Sequence, residues 1–204
     1  FLNPMYGYGN STEAKYLMAD EYLSGNVREK LAWAKRSAEL SPEDYKVHVE
    51  ALEKVQPKDL TASEISVRLG ATWLPPEIVE KFIFEFLGTP RYAQWNIKLH
   101  FSQYTGEWNI EGKSYDRGNV KAYNTYGTSR INAYKIIEET LNLKDVRIFD
   151  YIEEPDGKKK AVLNKKETAI AQSKQELIKQ GFQDWIWADP ERRERLCKLY
   201  NEKF

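Results

Sequence analysis

Gly106-Glu-Trp-Asn-Ile-Glu-Gly112-Lys113-Ser114 carries the residue types of a phosphate-binding loop. Such a loop cradles phosphate oxygens with successive backbone amides and needs four residues between its glycines, as G-x-x-x-x-G-K-[ST]. Here five residues separate Gly106 from Gly112, and Trp108 and Ile110 alternate with polar neighbours. The stretch therefore predicts a strand and no nucleotide cradle. The basic residues around it suit a different chemistry. Lys113, Arg117, Lys121, Arg130 and Lys135 fall between residues 111 and 135, against Glu111 and Asp116, with Tyr115, Tyr123 and Tyr126 interleaved. Cations hold backbone phosphates and aromatic rings stack on bases, so this mixture suits DNA as duplex or single strand. Lys158-Lys159-Lys160, followed by Lys165-Lys166, and Arg192-Arg193-Glu194-Arg195 are two further basic groups. Each group also has a plain reading, because lysines at hairpin turns and alternating charges on helices commonly just face water.

Other reactive combinations stop short. Asn3-Pro4-Met5-Tyr6 approximates the Asn/Asp-Pro-Pro-Tyr/Phe loop that holds a flipped adenine, but Met5 replaces the second proline and only two residues precede Asn3. That leaves no room for the buried strand such a loop needs, so a solvated leader is expected there. Asp20-Glu21 imitates a helicase acidic box without the apolar strand that should precede it. His48 and His100 stand in different elements with no ligand spacing around them, and His48 is expected at a solvated or interfacial position. Cys197 is the only cysteine, which excludes a disulfide framework and a Cys-rich metal site. No cofactor and no metal are expected.

These residues need elements to position them. Hydrophobic residues at 41% and charged residues at 30% describe a chain able to bury a core. Lysine plus arginine equals aspartate plus glutamate, 31 each, so no field of the whole molecule attracts nucleic acid and any affinity must be local. No apolar run approaches the roughly 20 residues of a membrane span, and no signal peptide is visible. A cytoplasmic protein without a membrane partner is expected. The chain begins with Phe1 and stops at Phe204 inside a helical pattern, as a piece of a longer polypeptide would.

Residues 21–56 predict a helical hairpin. Val27, Leu31, Ala34 and Ala38 share one face, Ser41 and Pro42 suit a fresh helix start, and Tyr45, Val49 and Leu52 form the next stripe. Residues 60–70 read either as the first half of a helix-turn-helix or, through Ile65, Val67 and Leu69, as a strand. Pro76 opens a helix bearing Ile78, Val79, Phe82, Ile83, Phe86 and Leu87, and Gly88 closes it. Ile97, Leu99 and Phe101, then Trp108 and Ile110, predict a β-hairpin. Thr128-Ser129 leads into a helix with Tyr134, Ile137 and Leu141 on one side. Residues 146–163 predict a second hairpin turning at Asp156-Gly157. A long helix from about Glu167 carries Ile170, Leu177, Ile178, Phe182, Trp185 and Ile186. The last helix follows Asp189-Pro190 and carries Leu196, Tyr200 and Phe204. The fold class is α+β: a helical hairpin, a central mixed region with two β-hairpins, and long C-terminal helices. The expected segments are a flexible leader over 1–20, the helical hairpin over 21–57, a mixed core with the first β-hairpin over 58–145, and the second hairpin with the C-terminal helices over 146–204.

Glu21-Tyr-Leu-Ser-Gly-Asn-Val-Arg-Glu-Lys-Leu31 resembles a segment of very large phage and conjugative-element proteins. Those proteins join an adenine-specific DNA methylase to a Swi/Snf-type helicase, and some belong to antirestriction systems. The likeness continues through Ile65-Ser-Val-Arg-Leu-Gly-Ala-Thr-Trp73-Leu-Pro75, Tyr104-Thr-Gly-Glu-Trp-Asn-Ile110, Tyr126-Gly-Thr-Ser-Arg130 and Trp185-Ile-Trp-Ala-Asp-Pro190-Glu-Arg-Arg193. The resemblance places such a segment between the methylase module and the helicase motor, outside the signatures of both. It therefore implies a fragment without catalysis of its own inside an enzyme. From residues and resemblance together, the expected function is a non-catalytic domain that binds or guides DNA through Lys113, Arg117, Lys121, Arg130, Lys158, Lys159 and Lys160. The alternative is a structural module that docks methylase and helicase to each other without touching DNA.

Overall fold

The structure, a computed structural model, describes Phe1 and residues 16–204. Asn3-Pro4-Met5-Tyr6 lies outside the described residues. The protein is α+β and divides into two compact units, residues 1–61 with 198–204, and residues 62–197.

In the first unit, a short turn of helix, α1 (Ala19–Tyr22), precedes the helices α2 (Val27–Leu40) and α3 (Pro42–Lys54), which pack as a hairpin. Asn26 starts α2, its side chain accepting from the Glu29 amide. Ser41 closes α2 and opens α3, but its hydroxyl makes no capping bond. Pro42 at the first helical position carries no amide hydrogen, so one donor fewer needs a partner there. Tyr22, Val27, Ala34 and Leu52 form the core. His48 joins it instead of facing solvent. Its ring meets those of Tyr22, Phe1 and Tyr45, and its Nδ1 lies 3.1 Å from the Tyr22 hydroxyl. Burial lowers the His48 pKa and raises that of Tyr22 to about 12. At the head of the stretch read as a flexible leader, Phe1 stacks on Tyr22 with ring centres 4.9 Å apart.

The second unit contains α4 (Pro76–Leu87), α5 (Arg91–Gln94), β1 (Lys98–Phe101), β2 (Trp108–Glu111), a π-helical turn (Lys121–Thr125), α6 (Ala133–Leu141), β3 (Phe149–Glu153), β4 (Lys159–Leu163), α7 (Lys165–Ile186) and the first residues of α8 (Pro190–Lys203). Neither alternative for residues 60–70 forms. Ile65, Val67 and Leu69 are buried at alternate positions in an irregular segment that joins no sheet. A side chain replaces a neighbouring strand there, since Gln183 Nε2 donates to the Val67 carbonyl at 2.6 Å.

Helix α6 is the hub, packing on β2 and α7. It begins at Asn132 and not at Thr128-Ser129, because the Asn132 side chain accepts from the Lys135 amide. The Thr128 hydroxyl instead accepts from the amides of Arg130 and Ile131 and shapes the turn before it. Helices α4 and α7 meet through Phe82 and Phe182, whose rings stand edge to face at 5.1 Å. Gly181, inside α7, is explained by Phe86: a Cβ there would collide with its ring. The space offsets the ~1 kcal/mol that glycine costs a helix interior. Thr168, Ala171, Gln175, Ile178, Phe182 and Ile186 form the buried face of α7, while Ile170 and Leu177 are exposed. The apolar pattern is wider than the face that packs.

Helix α6 ends on Leu143, whose backbone is left-handed at φ 59°. The Leu143 amide donates to the Thr140 carbonyl at 3.0 Å and the Lys144 amide to the Glu139 carbonyl at 2.9 Å, the paired closure usual at helix ends. Glycine is the common residue there, and a side chain in that conformation costs about 1–2 kcal/mol.

Candidate nucleic-acid interface

Glu138 organises the open side of α6. Its Oε2 accepts from the Ile110 amide at 2.8 Å and from Lys113 Nζ at 2.6 Å, and its Oε1 from Lys135 Nζ at 2.6 Å. Burial would raise the Glu138 pKa, but the Ile110 amide and the Lys113 and Lys135 ammonium groups together hold it below the usual carboxylate range. Burial likewise works against the charge on Lys135, and Glu138 and Glu139 outweigh it and raise its pKa. One buried carboxylate thus anchors two lysines beside the N-terminus of α6.

From there three hollows follow α6 along its length, about 13 Å. The first, of about 410 Å³, is lined by Gly112, Lys113, Ser114, Arg130, Ile131, Asn132 and Lys135. The second, about 610 Å³, shares Ile131 and Lys135 with it and adds Glu139, Leu143, Lys144, Asp145, Val146, Arg147 and Phe149. The third, about 350 Å³, shares Leu143, Lys144 and Asp145 with the second and continues to Arg68, Gln175, Lys179 and Gln183. Neighbours in this series share wall residues, and the three together are termed the α6 trough. Lys113, Arg130, Lys135, Lys144, Arg147, Arg68 and Lys179 line it against only Glu139 and Asp145.

The expected contact residues divide sharply. Lys113 and Arg130 reach the trough, both already bound to carboxylates. Arg130 donates to Asp150 Oδ1 at 2.8 Å and to the Phe149 carbonyl at 2.9 Å, and with Asn164 lowers the Asp150 pKa. Arg117 is exposed between β2 and the π-helical turn, and Lys121 is exposed at the start of that turn. Lys158, Lys159 and Lys160 lie at the far end of the second hairpin, with Lys158 3.3 Å from Asp156 and Lys160 3.9 Å from Glu154. None of these five lines the trough. The third basic group is structural in part. Arg192 is buried, its guanidinium 3.5 Å over the Trp185 ring and bonded to the Ile186 carbonyl, and Arg195 pairs with Glu77 at 2.7 Å.

Of the cations that line the trough, three missed in the sequence carry no ion pair among the described residues. Arg68, Lys144 and Arg147 are exposed and, among the described residues, meet no carboxylate within ion-pair distance. No basic run marks them in the sequence: Arg68 has no basic neighbour, and Lys144 and Arg147 are separated by Asp145-Val146. A signal was nonetheless present. Val67-Arg68-Leu69 and Val146-Arg147-Ile148 each place an arginine between two buried aliphatic residues, and alternation then turns the arginine outward.

Away from the trough, His100 is exposed, 3.3 Å from Glu111. Among the described residues no group of three His, Cys, Asp or Glu side chains converges on a metal-sized space, and no helix is long and apolar enough to cross a membrane.

The fold is α+β, and its second unit carries a cation-lined trough beside α6. Residues 68–204 match the family described as Domain of unknown function (DUF8437), and the chain belongs to that family. No curated protein and no solved structure matches it.

Proposed function

We propose that this domain holds or guides DNA along the α6 trough and performs no chemistry of its own. One observation carries the reading: the cations of the trough converge although the chain as a whole carries no net charge. Local convergence is what a phosphate backbone requires, since counterion release depends on the charges that it meets. Arg68, Lys144 and Arg147 are the principal phosphate contacts, because binding breaks no ion pair of theirs. Lys113, Lys135 and Arg130 complete the positive wall while remaining tied to Glu138, Glu139 and Asp150. In this proposal the domain works in the cytoplasm, within a larger polypeptide of a mobile element whose methylase and helicase modules act on the DNA that it guides.

Fluorescence anisotropy of labelled DNA tests the assignment. Three phosphate contacts predict a roughly 20- to 40-fold loss of affinity between 50 and 200 mM salt. The triple variant Arg68→Ala, Lys144→Ala, Arg147→Ala should reduce binding to the detection limit. Unchanged affinity in the triple variant rejects the trough.

The docking reading has its own observation. Strands β3 and β4 expose Tyr151 and Leu163 on one face, an apolar surface suited to a neighbouring module. Failure of the wild-type chain to bind either duplex or single-stranded DNA favours that reading.

A further inference from the structure

Leu143 is the one described non-glycine residue with a positive φ. The residue is 58% exposed, so packing inside the fold compensates little of that strain. The residue stands in the wall between the second and third hollows. The second hollow also has Phe149 in its wall, 40% exposed, together with Lys144 and Arg147, which carry no ion pair among the described residues. Two apolar side chains and two unpaired cations therefore border one open space of about 610 Å³.

We infer that this middle hollow receives an unpaired base, held between Leu143 and Phe149 while Lys144 and Arg147 hold the neighbouring phosphates. A base in a duplex has both faces covered by its neighbours and cannot be held this way. Aliphatic side chains are used as wedges against bases, and aromatic rings stack on the bases of single strands. The trough accordingly prefers single-stranded DNA. The inference rests on the DNA-guiding reading above and adds to it the form of the strand and the residues that select it.

The test uses the 204-residue chain, a labelled single strand of about 20 nucleotides and the matching duplex, both by anisotropy. The single strand is expected to bind at least about ten-fold more tightly than the duplex. Leu143→Gly is expected to raise Tm, because it relieves the left-handed strain, and yet to weaken single-strand binding about five-fold or more. Its salt dependence should stay that of the wild type, since no phosphate contact is removed. Phe149→Ala should weaken the single strand similarly, whereas Phe149→Tyr should preserve it. Equal affinity for the two DNA forms overturns the inference. So does single-strand affinity within two-fold of wild type for both Leu143→Gly and Phe149→Ala, and if the cation triple variant still abolishes binding in that case, the DNA-guiding reading survives alone. A wild-type chain that binds neither form overturns both.

Discussion

The two β-hairpins have similar sequence signals and opposite fates. In the first, Ile110 is 1% exposed; in the second, Ile152 is 54% exposed. The register is regular in both, Leu99 opposite Ile110 and Ile152 opposite Lys160. The difference lies in what meets their backbone edges. Glu138 accepts from the Ile110 amide, Asn142 bonds both the amide and the carbonyl of Trp108, and Glu80 accepts from the Leu99 amide at 3.0 Å. Side chains from α6, the residue after it and α4 thus substitute for missing strands on both edges of the first hairpin. The second is held near its base, where Arg130 reaches Phe149 and Asp150, and Asn164 reaches Asp150 at 2.8 Å. Every residue of β4 is exposed. A two-stranded sheet is marginal by itself, so its stability depends on helices that the strands do not encode.

Urea unfolding followed by tryptophan fluorescence can break this comparison. Ile110→Ala should cost the most, about 2–5 kcal/mol, as deletion of a fully buried side chain does. An effect below about 1 kcal/mol would mean that the first hairpin is no better anchored than the second. Glu138→Gln comes next, at about 2 kcal/mol, because two lysines lose their shared charge and buried donors lose their best acceptor.

The same carboxylate sets a pH dependence. Its folded pKa is depressed, so its contribution is complete above the unfolded carboxyl value and disappears as pH falls through the folded one. The stability gap between wild type and Glu138→Gln should therefore be widest near neutrality and close in acid. A gap independent of pH would remove Glu138 as the ionised anchor. Ile152→Ala marks the small end of the series, within about 0.5 kcal/mol of wild type. A larger loss would show that the second hairpin is packed after all.

Much of the fold was legible in the chain. Pro76 and Gly88 bracket α4, with Gly88 left-handed as its position requires, and Asp156-Gly157 turns the second hairpin. The helical hairpin followed from two stripes joined by Ser41-Pro42. Errors arose where tertiary contacts overrode local pattern. Residues 65–69 alternate as a strand but join no sheet, the Val67 carbonyl being met by Gln183, and Ile170 and Leu177 lie beyond the face of α7 that packs. The candidate site was less legible still. Neighbouring cations in the chain attracted attention, yet Lys113, Arg130, Lys158 and Lys160 each stand near a carboxylate. Arg68, Lys144 and Arg147 come together across dozens of residues, and no local window contains all three.

By itself the chain determined where helices and turns begin and end, because proline, glycine and asparagine act on the backbone at their own positions. It also determined that no net charge could draw in a polyanion. Which cations are neutralised, which remain open along α6, and which hairpin is buried were decided only by the tertiary structure. Coulomb attraction and burial depend on distances in space, and those distances exist only after remote segments have packed.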